Sequence, residues 1–321
     1  MSTTTTAPAR ATGNPQKQDD RPVRLRTSFL ERLAPYAYVS PFFIIFGIFG
    51  LFPLVFTFYV SMFDWNPIGD QTFVGLANFE RLFADSRFWN ALGNTFGIFV
   101  ISTVPQLLMA LGLAHLLNHA RLRWASFFRM SMLLPYITSV AATAIVFGQI
   151  FDRNFGLINW VLGLFGQDPV NFLASRFGSW VEISAMVTWR WFGYNTLLYL
   201  AGLQAIPREM YEAASVDGAN GWQQFRKLTI PALRPIIIFT VVMSTIGGLQ
   251  IFTEPLLVAP ESGLTCGAGR QCQTLTLFLY EQGFGQFEFG YGSAIGVVLF
   301  FIVVVVAAIN FFLSTRTRGG R

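Results

Sequence analysis

The chain has 321 residues, of which 53% are hydrophobic and only 12% are charged, and its formal net charge is +5. Because a soluble domain carries roughly 25% charged residues, this composition excludes an ordinary soluble protein. The mean hydropathy of +0.49 indicates a protein that lies in a membrane.

The first predicted element is an N-terminal tail, residues 1–34, which is rich in Thr, Ala, Pro and Arg and lacks apolar periodicity, so it is expected to be disordered. Six apolar segments follow, each long enough for a helical span of about 20 residues. They are residues 36–63, 90–117, 129–151, 182–206, 236–258 and 290–313. The sequence therefore predicts an all-α polytopic membrane protein with six transmembrane helices and a short C-terminal tail, residues 316–321.

Lys and Arg residues give the predicted orientation, because they are retained on the cytoplasmic side of a membrane. Sixteen of them fall in the two tails and in the loops after spans 2 and 4, whereas five fall in the other loops. Both termini are therefore predicted to be cytoplasmic in a bacterial cell membrane. The same distribution explains the positive net charge as a topology signal and argues against nucleic acid as a partner.

The loop between spans 4 and 5, residues 207–235, has a helical pattern of its own. Pro207 suits the first position of a helix, and Asp217-Gly218 favours a bend. Pro231 and Pro235 are expected to end the segment before span 5. The pattern predicts a short helix–bend–helix unit on the cytoplasmic surface.

Small residues are expected to form one face of this unit. Ala214 and Gly218 are four residues apart and so share a helical face, whereas Trp222 and Phe225 are expected to dock elsewhere. A small face suits insertion into a groove on a partner protein. The alternative is an interfacial helix that rests on lipid headgroups. The small residues favour a partner, and the alternative stays open at this point.

The same loop resembles a signature of bacterial ABC importers. Their permease subunits carry E-A-A-x3-G-x9-I-x-L-P before the penultimate span. Here the chain reads Glu212-Ala213-Ala214, three residues, Gly218, nine residues and Leu228-Thr229-Ile230-Pro231. The resemblance extends over residues 35–315 and is closest to the first permease of the maltose-type sugar importers, through blocks such as FVGLANFERLF and AGLQAIPREMYEAASVDGA. It implies a type I ABC importer permease fold and a di- or oligosaccharide as the transported solute.

The resemblance also implies partners. In that family this loop docks in a cleft of a separate ATPase, which assigns Glu212, Ala213, Ala214 and Gly218 to the contact, with Asp217 beside them. The expected partners are a second permease subunit, two ATP-binding subunits, an extracytoplasmic sugar-binding protein and the lipid bilayer. The chain would then form half of a translocation pathway.

The energy for transport must come from a partner, because the chain has no P-loop. Such a loop needs Gly-Lys followed by Ser or Thr, whereas the two lysines here follow Gln16 and Arg226. We therefore expect no enzymatic activity and no cofactor bound by this chain, with ATP and magnesium bound by the partner ATPase. His115 and His119 are four residues apart but have no third ligand nearby, so no metal site is expected.

Polar and aromatic side chains within the spans are the candidates for the solute pathway, because such residues in a membrane are costly and usually functional. The resemblance places Trp191 and Tyr194 at sugar-contacting positions. The full candidate set is Arg190, Trp191, Tyr194, Asn195, Ser244, Gly247, Gly248 and Gln250. Two other roles stay open, since Trp and Tyr are common at membrane interfaces and glycines pack helices together. Arg190 needs a partner or water, and Glu254 is the candidate partner.

The predicted external loop between spans 5 and 6 departs from the family. It reads PESGLTCGAGRQC where the family has a Gly-Gly-Pro stretch, and it holds both cysteines, Cys266 and Cys272. An external disulfide between them and two free thiols are both compatible with the sequence.

Three other classes of function are alternatives to this interpretation. An ion-coupled secondary transporter would be expected to show carboxylates within its spans and inverted repeats, and neither is visible in the sequence. A permease for a non-sugar solute and a non-transporting scaffold are the remaining alternatives.

Overall fold

The computed structural model describes residues 29–67, 69–119 and 124–316. The expected disordered tail up to residue 28, and residues 317–321 of the short C-terminal tail, lie outside these ranges. Helix α1 begins at Phe29, so residues 29–34, which the sequence assigned to the tail, are helical instead. The reason is local, since the FLERL stretch already has apolar residues at helical spacing.

The chain divides after Pro53 into two compact units. The first contains α1 (Phe29–Phe46), which includes two prolines without ending at either. A π-helical turn at Gly47–Leu51 follows. Helix α2 (Phe52–Val60) then starts at the end of the first unit and continues into the second.

The second unit opens with a short β-hairpin, β1 (Phe63–Trp65) and β2 (Gln71–Phe73), which pair in an antiparallel register. Ten helices that position the candidate site follow in the described residues. They are α3 (Ala77–Ala84), α4 (Ser86–His119), α5 (Ala125–Ile137), α6 (Val140–Phe151), α7 (Leu157–Leu164), α8 (Arg176–Gln204), α9 (Arg208–Val216), α10 (Gly221–Gln224), α11 (Ile230–Leu249) and α12 (Thr253–Val258). The chain ends with α13 (Leu275–Tyr280) and α14 (Phe289–Arg316).

Four helical stretches in the described part of the chain are long and apolar enough to cross a membrane: Pro35–Val60, Ser86–Asn118, Gly221–Leu249 and Phe289–Phe312. The pair α5–α6 makes a fifth if it counts as one span. Length and composition therefore give four or five spans, where the sequence predicted six. Helix α8 is long enough, with 29 residues, but it carries Glu182, Arg190 and several polar side chains.

The predicted third span is a broken helix. Helices α5 and α6 meet at 93°, and Thr138 between them has an extended backbone with ψ of 141°. The Thr138 N–H and hydroxyl group both donate to Leu134 O, at 3.1 and 2.7 Å. Both donors of Thr138 thus bond to the last turn of α5, which helps to make the break tolerable in an apolar setting.

The predicted fifth span starts earlier than expected and breaks earlier. Pro231 and Pro235 do not end the preceding segment, because the chain is helical from Gly221 through a π-turn at Phe225–Thr229 into α11. Pro231 lies just after the π-turn inside this continuous helix, and a π-turn is one of the local adjustments that accommodate proline within a helix. The helix then stops at Leu249, and residues 250–252 are non-helical before α12 begins.

The core of the second unit is a parallel pair of long helices, α4 and α8. Four contacts between them share one sequence offset of 86 residues, which we call the α4–α8 ladder. They join Arg176 to Asn90 O, Trp180 to Asn94 Oδ1, Ser184 to Ile98 O and Thr188 to Ser102 O. Gly97 lets the helices approach, since a Cβ there would lie 2.5 Å from the Trp180 ring.

Candidate functional site

Gly218 ends helix α9 and does not lie on its face. Its φ of +81° is in the left-handed region, which glycine adopts without the steric cost of a Cβ. The Gly218 N–H donates to Ser215 O at 3.1 Å and the Ala219 N–H donates to Ala214 O at 2.9 Å, which is the Schellman pattern. The expectation that Ala214 and Gly218 share a helical face is therefore wrong, because the helix has ended before Gly218. The glycine provides the bend.

The five candidate coupling residues lie on α9 and at its C-terminal end. Glu212, Ala213, Asp217 and Gly218 are exposed, and Ala214 is half-buried. An acidic side chain and small neighbours are thus accessible to another protein.

Side-chain hydrogen bonds fold α9 back onto the helix that follows. The hydroxyl groups of Tyr211 and Thr229 lie 3.0 Å apart, and Thr229 is fully buried. Gln224 Nε2 donates to Ser215 Oγ at 2.9 Å and to Ala219 O at 3.0 Å. These bonds make residues 207–229, which we call the coupling segment, one folded unit.

The coupling segment also contacts the end of helix α4. The ring of Phe225 lies 4.6 Å from the ring of His115, and the Trp222 ring lies 5.7 Å from Phe225. Trp222 nevertheless remains 68% exposed. The docking predicted for Phe225 is therefore found on His115, whereas Trp222 keeps a large free surface within the described chain.

Two of the aromatic pathway candidates form a cluster at the bend between α5 and α6. Tyr136 stacks on Tyr194 with ring centroids 4.9 Å apart, and it meets Trp191 edge-on at 5.2 Å. Trp191 and Tyr136 are 36% and 37% exposed. Sequence reasoning missed Tyr136, although its place directly after Pro135 in a predicted span was a usable signal.

The remaining pathway candidates separate into accessible and packed residues. Gly247 and Gln250 are exposed and Ser244 is half-buried, all near the end of α11. Asn195 is only 3% exposed, and a Cβ on Gly248 would lie 2.6 Å from the Phe99 ring. Asn195 and Gly248 thus belong to helix packing in this conformation, and the structure does not bring them to the surface with the others.

Arg190 has the partner that the sequence indicated. Its Nη1 lies 2.8 Å from Glu254 Oε1, and the two side chains are only 12% and 11% exposed. Pairing matters here because an isolated charge in a membrane costs several kcal/mol. The pair joins α8 to α12 directly after the break in the fifth span, so it fixes the position of that break.

The segment between α12 and α14, residues 259–288, is joined to helix α4, and we call it the outer loop after its predicted position. A disulfide links Cys266 and Cys272. Asn90 Nδ2 and Asn94 Nδ2 donate to Arg270 O at 2.8 and 2.9 Å. These bonds hold the loop over the start of α4.

An ion pair inside the outer loop adds to these bonds. Arg270 Nη2 donates to Glu281 Oε1 at 2.8 Å, and Gln273 Nε2 donates to Glu281 Oε2 at 2.7 Å. Burial alone would raise the pKa of Glu281, but the bonds from Arg270 and Gln273 hold that pKa below its usual range. The carboxylate is therefore charged at neutral pH.

The comparisons with known proteins agree with this architecture. A family model described as "Binding-protein-dependent transport system inner membrane component" matches residues 95–319. The arabinooligosaccharides transport system permease protein of Bacillus subtilis (strain 168) is 33% identical over 295 residues, which cover 91% of this chain and 91% of that protein. The lactose transport system permease protein of Rhizobium radiobacter is 36% identical over 287 residues, which cover 88% of this chain and 94% of that protein.

A solved structure has a similar fold. It is the crystal structure of a bacterial alginate ABC transporter in complex with an alginate pentasaccharide-bound periplasmic protein, and one of its chains aligns with a TM-score of 0.75. The alignment covers 90% of this chain and 97% of that chain, at 22% sequence identity. This likeness concerns the fold alone.

Proposed function

The chain belongs to the family of binding-protein-dependent transport system inner membrane components, and on this premise we propose that it is a permease subunit of an ATP-driven importer of di- or oligosaccharides. It would form half of the pathway, with a second permease subunit forming the other half. Both termini would lie in the cytoplasm of a bacterial cell. ATP and magnesium would bind two partner ATP-binding subunits, and an external binding protein would deliver the sugar.

The observation that carries this proposal is the geometry of the coupling segment. It presents Glu212, Ala213 and Asp217 to solvent, while Tyr211 and Thr229 hold it to the start of the fifth span. A short, exposed and folded helix of this kind suits a groove on a partner. Among the residues that the structure describes, no side-chain hydrogen bond or ion pair involves Glu212 or Asp217, which supports a contact outside the chain.

Motion of the coupling segment would reach the middle of the second unit through a single helix. The chain is helical without a break from Gly221 to Leu249. Closure of the ATPases would displace α9, the displacement would pass along this helix, and residues 250–252 would move at its far end. Exposed Gly247 and Gln250 lie next to that end, where a solute would meet them.

The assignment of a sugar is supported by chemistry and by the relatives. Tyr136, Trp191 and Tyr194 offer aromatic faces, and Gln250 offers an amide, which is the mixture that polar ring compounds need. Arg190 is neutralised by Glu254, so the pathway has no net charge at this place. The two relatives named above transport an oligosaccharide and a disaccharide.

The test is reconstitution of the complete complex in proteoliposomes with its binding protein. Sugars of one to six units would be screened for stimulation of ATP hydrolysis and for uptake, with glycerol 3-phosphate and a polyamine as comparison solutes. We expect di- or oligosaccharides to stimulate both. Stimulation by one of the comparison solutes and by no sugar would overturn the sugar assignment while leaving the permease assignment in place.

A further inference from the structure

A row of aromatic side chains runs from the break in the fifth span to the β-hairpin. Successive ring centroids are 5.3 Å apart from Phe252 to Tyr280, 5.0 Å from Tyr280 to Phe284, 5.4 Å from Phe284 to Phe289 and 6.1 Å from Phe289 to Trp65. We call these five residues the aromatic row. It joins four separate elements of the chain, namely the break, α13 with its π-turn, α14 and β1.

The aromatic row is accessible in its central part. Tyr280 and Phe284 are 42% and 53% exposed, and the rings of Phe252, Phe289 and Trp65 are half-buried. Rings held at both ends by their neighbours lose little freedom when a ligand covers them. The row is therefore a preformed surface.

Polar groups beside the row distinguish it from a lipid-facing belt. Gln250 and Thr253 are exposed next to Phe252, and Gln286 is exposed next to the Phe284 end. An exposed amide facing acyl chains would have unsatisfied hydrogen-bonding groups, which is costly in hydrocarbon. Aromatic rings with a few amides and hydroxyls are instead the usual lining of a small-molecule site.

The backbone along the row gives the same indication independently. In the part of the row that lies within the outer loop, Glu281–Gly285 form a π-turn and Phe287 has a φ of +58°. At the Phe252 end of the row, residues 250–252 are non-helical inside a predicted span, and irregular backbone at that depth is tolerated only where it is buried in protein or lines a water-filled cavity. Broken helices of this kind also form the solute sites of many transporters.

We propose that the aromatic row is a binding track for an oligosaccharide, with several sugar units lying on successive rings and the leading unit reaching Gln250 at the break. The proposal rests on the proposed function and adds a site and a solute length to it. Neighbouring rings are tilted by 29–78° to one another, so they offer both faces and edges to the apolar C–H groups of pyranoses, while Gln250, Thr253 and Gln286 bind the hydroxyl groups. A disaccharide covers part of the row, whereas a longer chain covers all of it.

Chain-length dependence tests the track in the intact reconstituted complex. Uptake of gluco- and arabino-oligosaccharides of two to six units would be compared in wild type and Phe284→Ala, which alters the third ring counted from Gln250. The lost stacking contact should lower uptake of the longest sugars roughly tenfold, while disaccharide uptake stays within about twofold of wild type. Phe284→Tyr, which keeps the ring, should behave as wild type.

The matched control is Phe83→Ala, which removes an aromatic side chain of similar exposure, 51%, that contacts Phe88 and Trp89 outside the row. It should change uptake of every sugar equally or not at all. An equal loss for two and six units in Phe284→Ala, or the same length profile in Phe83→Ala, would overturn the track. If wild type takes up no sugar, the proposed function fails instead.

A photo-cross-linker at position 284 separates a sugar track from a lipid contact. During turnover with a biotin-labelled hexasaccharide, we expect labelled sugar on the permease and competition by unlabelled hexasaccharide. The same probe at position 83 should capture lipid only. Capture of lipid alone at position 284 would assign the row to the membrane belt and overturn the proposal.

Discussion

The coupling segment and the outer loop are held by different kinds of bonds. In the coupling segment, side-chain bonds join residues 5, 9 and 18 positions apart. In the outer loop, Arg270 O accepts bonds from Asn90 and Asn94, which are 180 and 176 positions away. Local side-chain bonds hold the coupling segment to its own helix. Long-range bonds instead hold the outer loop to a different helix, so we expect the coupling segment to be the more mobile of the two.

The largest effect is expected from a bulky residue at the bend of the coupling segment. Gly218→Trp places a side chain at a φ of +81° and on an exposed surface, so it should block ATPase docking and reduce solute uptake to background. Membrane insertion should stay intact, because the spans are untouched. Uptake in proteoliposomes and co-purification of the ATPase measure the effect.

Gly218→Ala is the matched control for this substitution. An alanine in the left-handed conformation costs about 1 kcal/mol of stability relative to glycine. Because it adds little bulk, docking should survive with a modest loss of stability. Normal uptake by Gly218→Trp would contradict the docking role and remove the contrast between the two regions.

A substitution in the outer loop should affect transport less than Gly218→Trp does, but it should clearly lower the stability of the protein. Arg270→Ala leaves Glu281, whose side chain is 9% exposed, without its ion pair. The cost should be about 2–3 kcal/mol, measured as a lower midpoint of thermal unfolding of the purified protein. Arg270→Ala combined with Glu281→Gln should recover part of it, since no buried charge is then left unpaired.

Arg81→Ala is the exposed counterpart. Its ion pair with Glu288 has side chains that are 48% and 38% exposed, and its guanidinium lies 4.2 Å from the centroid of the Tyr291 ring. Exposed contacts of these two kinds contribute little, so removal should cost about 1 kcal/mol, less than loss of the more buried pair of Arg270. Equal unfolding midpoints for Arg270→Ala and Arg81→Ala would show that the ion pair of Arg270 and Glu281 does not hold the outer loop in place.

A still smaller effect on stability should accompany Tyr211→Phe in the coupling segment. The substitution removes one hydrogen bond to Thr229 at a cost of about 1 kcal/mol. Because this bond joins α9 to the fifth span, the number of ATP molecules hydrolysed per sugar should rise. A double-mutant cycle with Thr229→Val isolates the pair, and an unchanged ratio in both single variants would show that this bond does not transmit motion.

The smallest expected effect is a dependence of the protein's stability on pH, which arises from Glu281 in the outer loop. The pKa of Glu281 is lowered in the folded protein from its usual 4.5. Its stabilising contribution is therefore present above that usual value and is lost as the pH falls through the lower folded pKa. Thermal unfolding of wild type should show this loss between neutral and acid pH, and Glu281→Gln should show less of it. The same slope in both proteins would assign the effect to other groups.

The sequence predicted the coupling segment better than the break at Thr138 or the aromatic row, and the reason is physical. A helix, a bend at Asp217-Gly218 and a second helix are specified by neighbouring residues, so their pattern is visible in one stretch of chain. The role of Gly218 was still misread, because four-residue spacing implies a shared face only while the helix continues. Pro231 was also misread as a stop, since the π-turn just before it lets the helix continue past the proline.

Features that depend on distant residues could not be predicted in this way. The right-angled break at Thr138 and the aromatic row arise from tertiary packing, since Phe252, Phe289 and Trp65 are far apart in the sequence. Arg190 is an intermediate case. Its need for a partner followed from its place in a predicted span, and the nearest acidic residue on the next span, Glu254, is the one it contacts.

The constant offset of 86 residues in the α4–α8 ladder limits how the gene can change in length. Deleting or inserting one codon within residues 90–102 or 176–188 would rotate the following part of that helix by about 100° and displace the contacts beyond it together. Codons between the two helices, for residues 120–175, can be gained or lost without altering the pairing inside either one. Natural length variation between relatives should therefore concentrate in that interval and in the terminal tails, and be rare inside the two stretches.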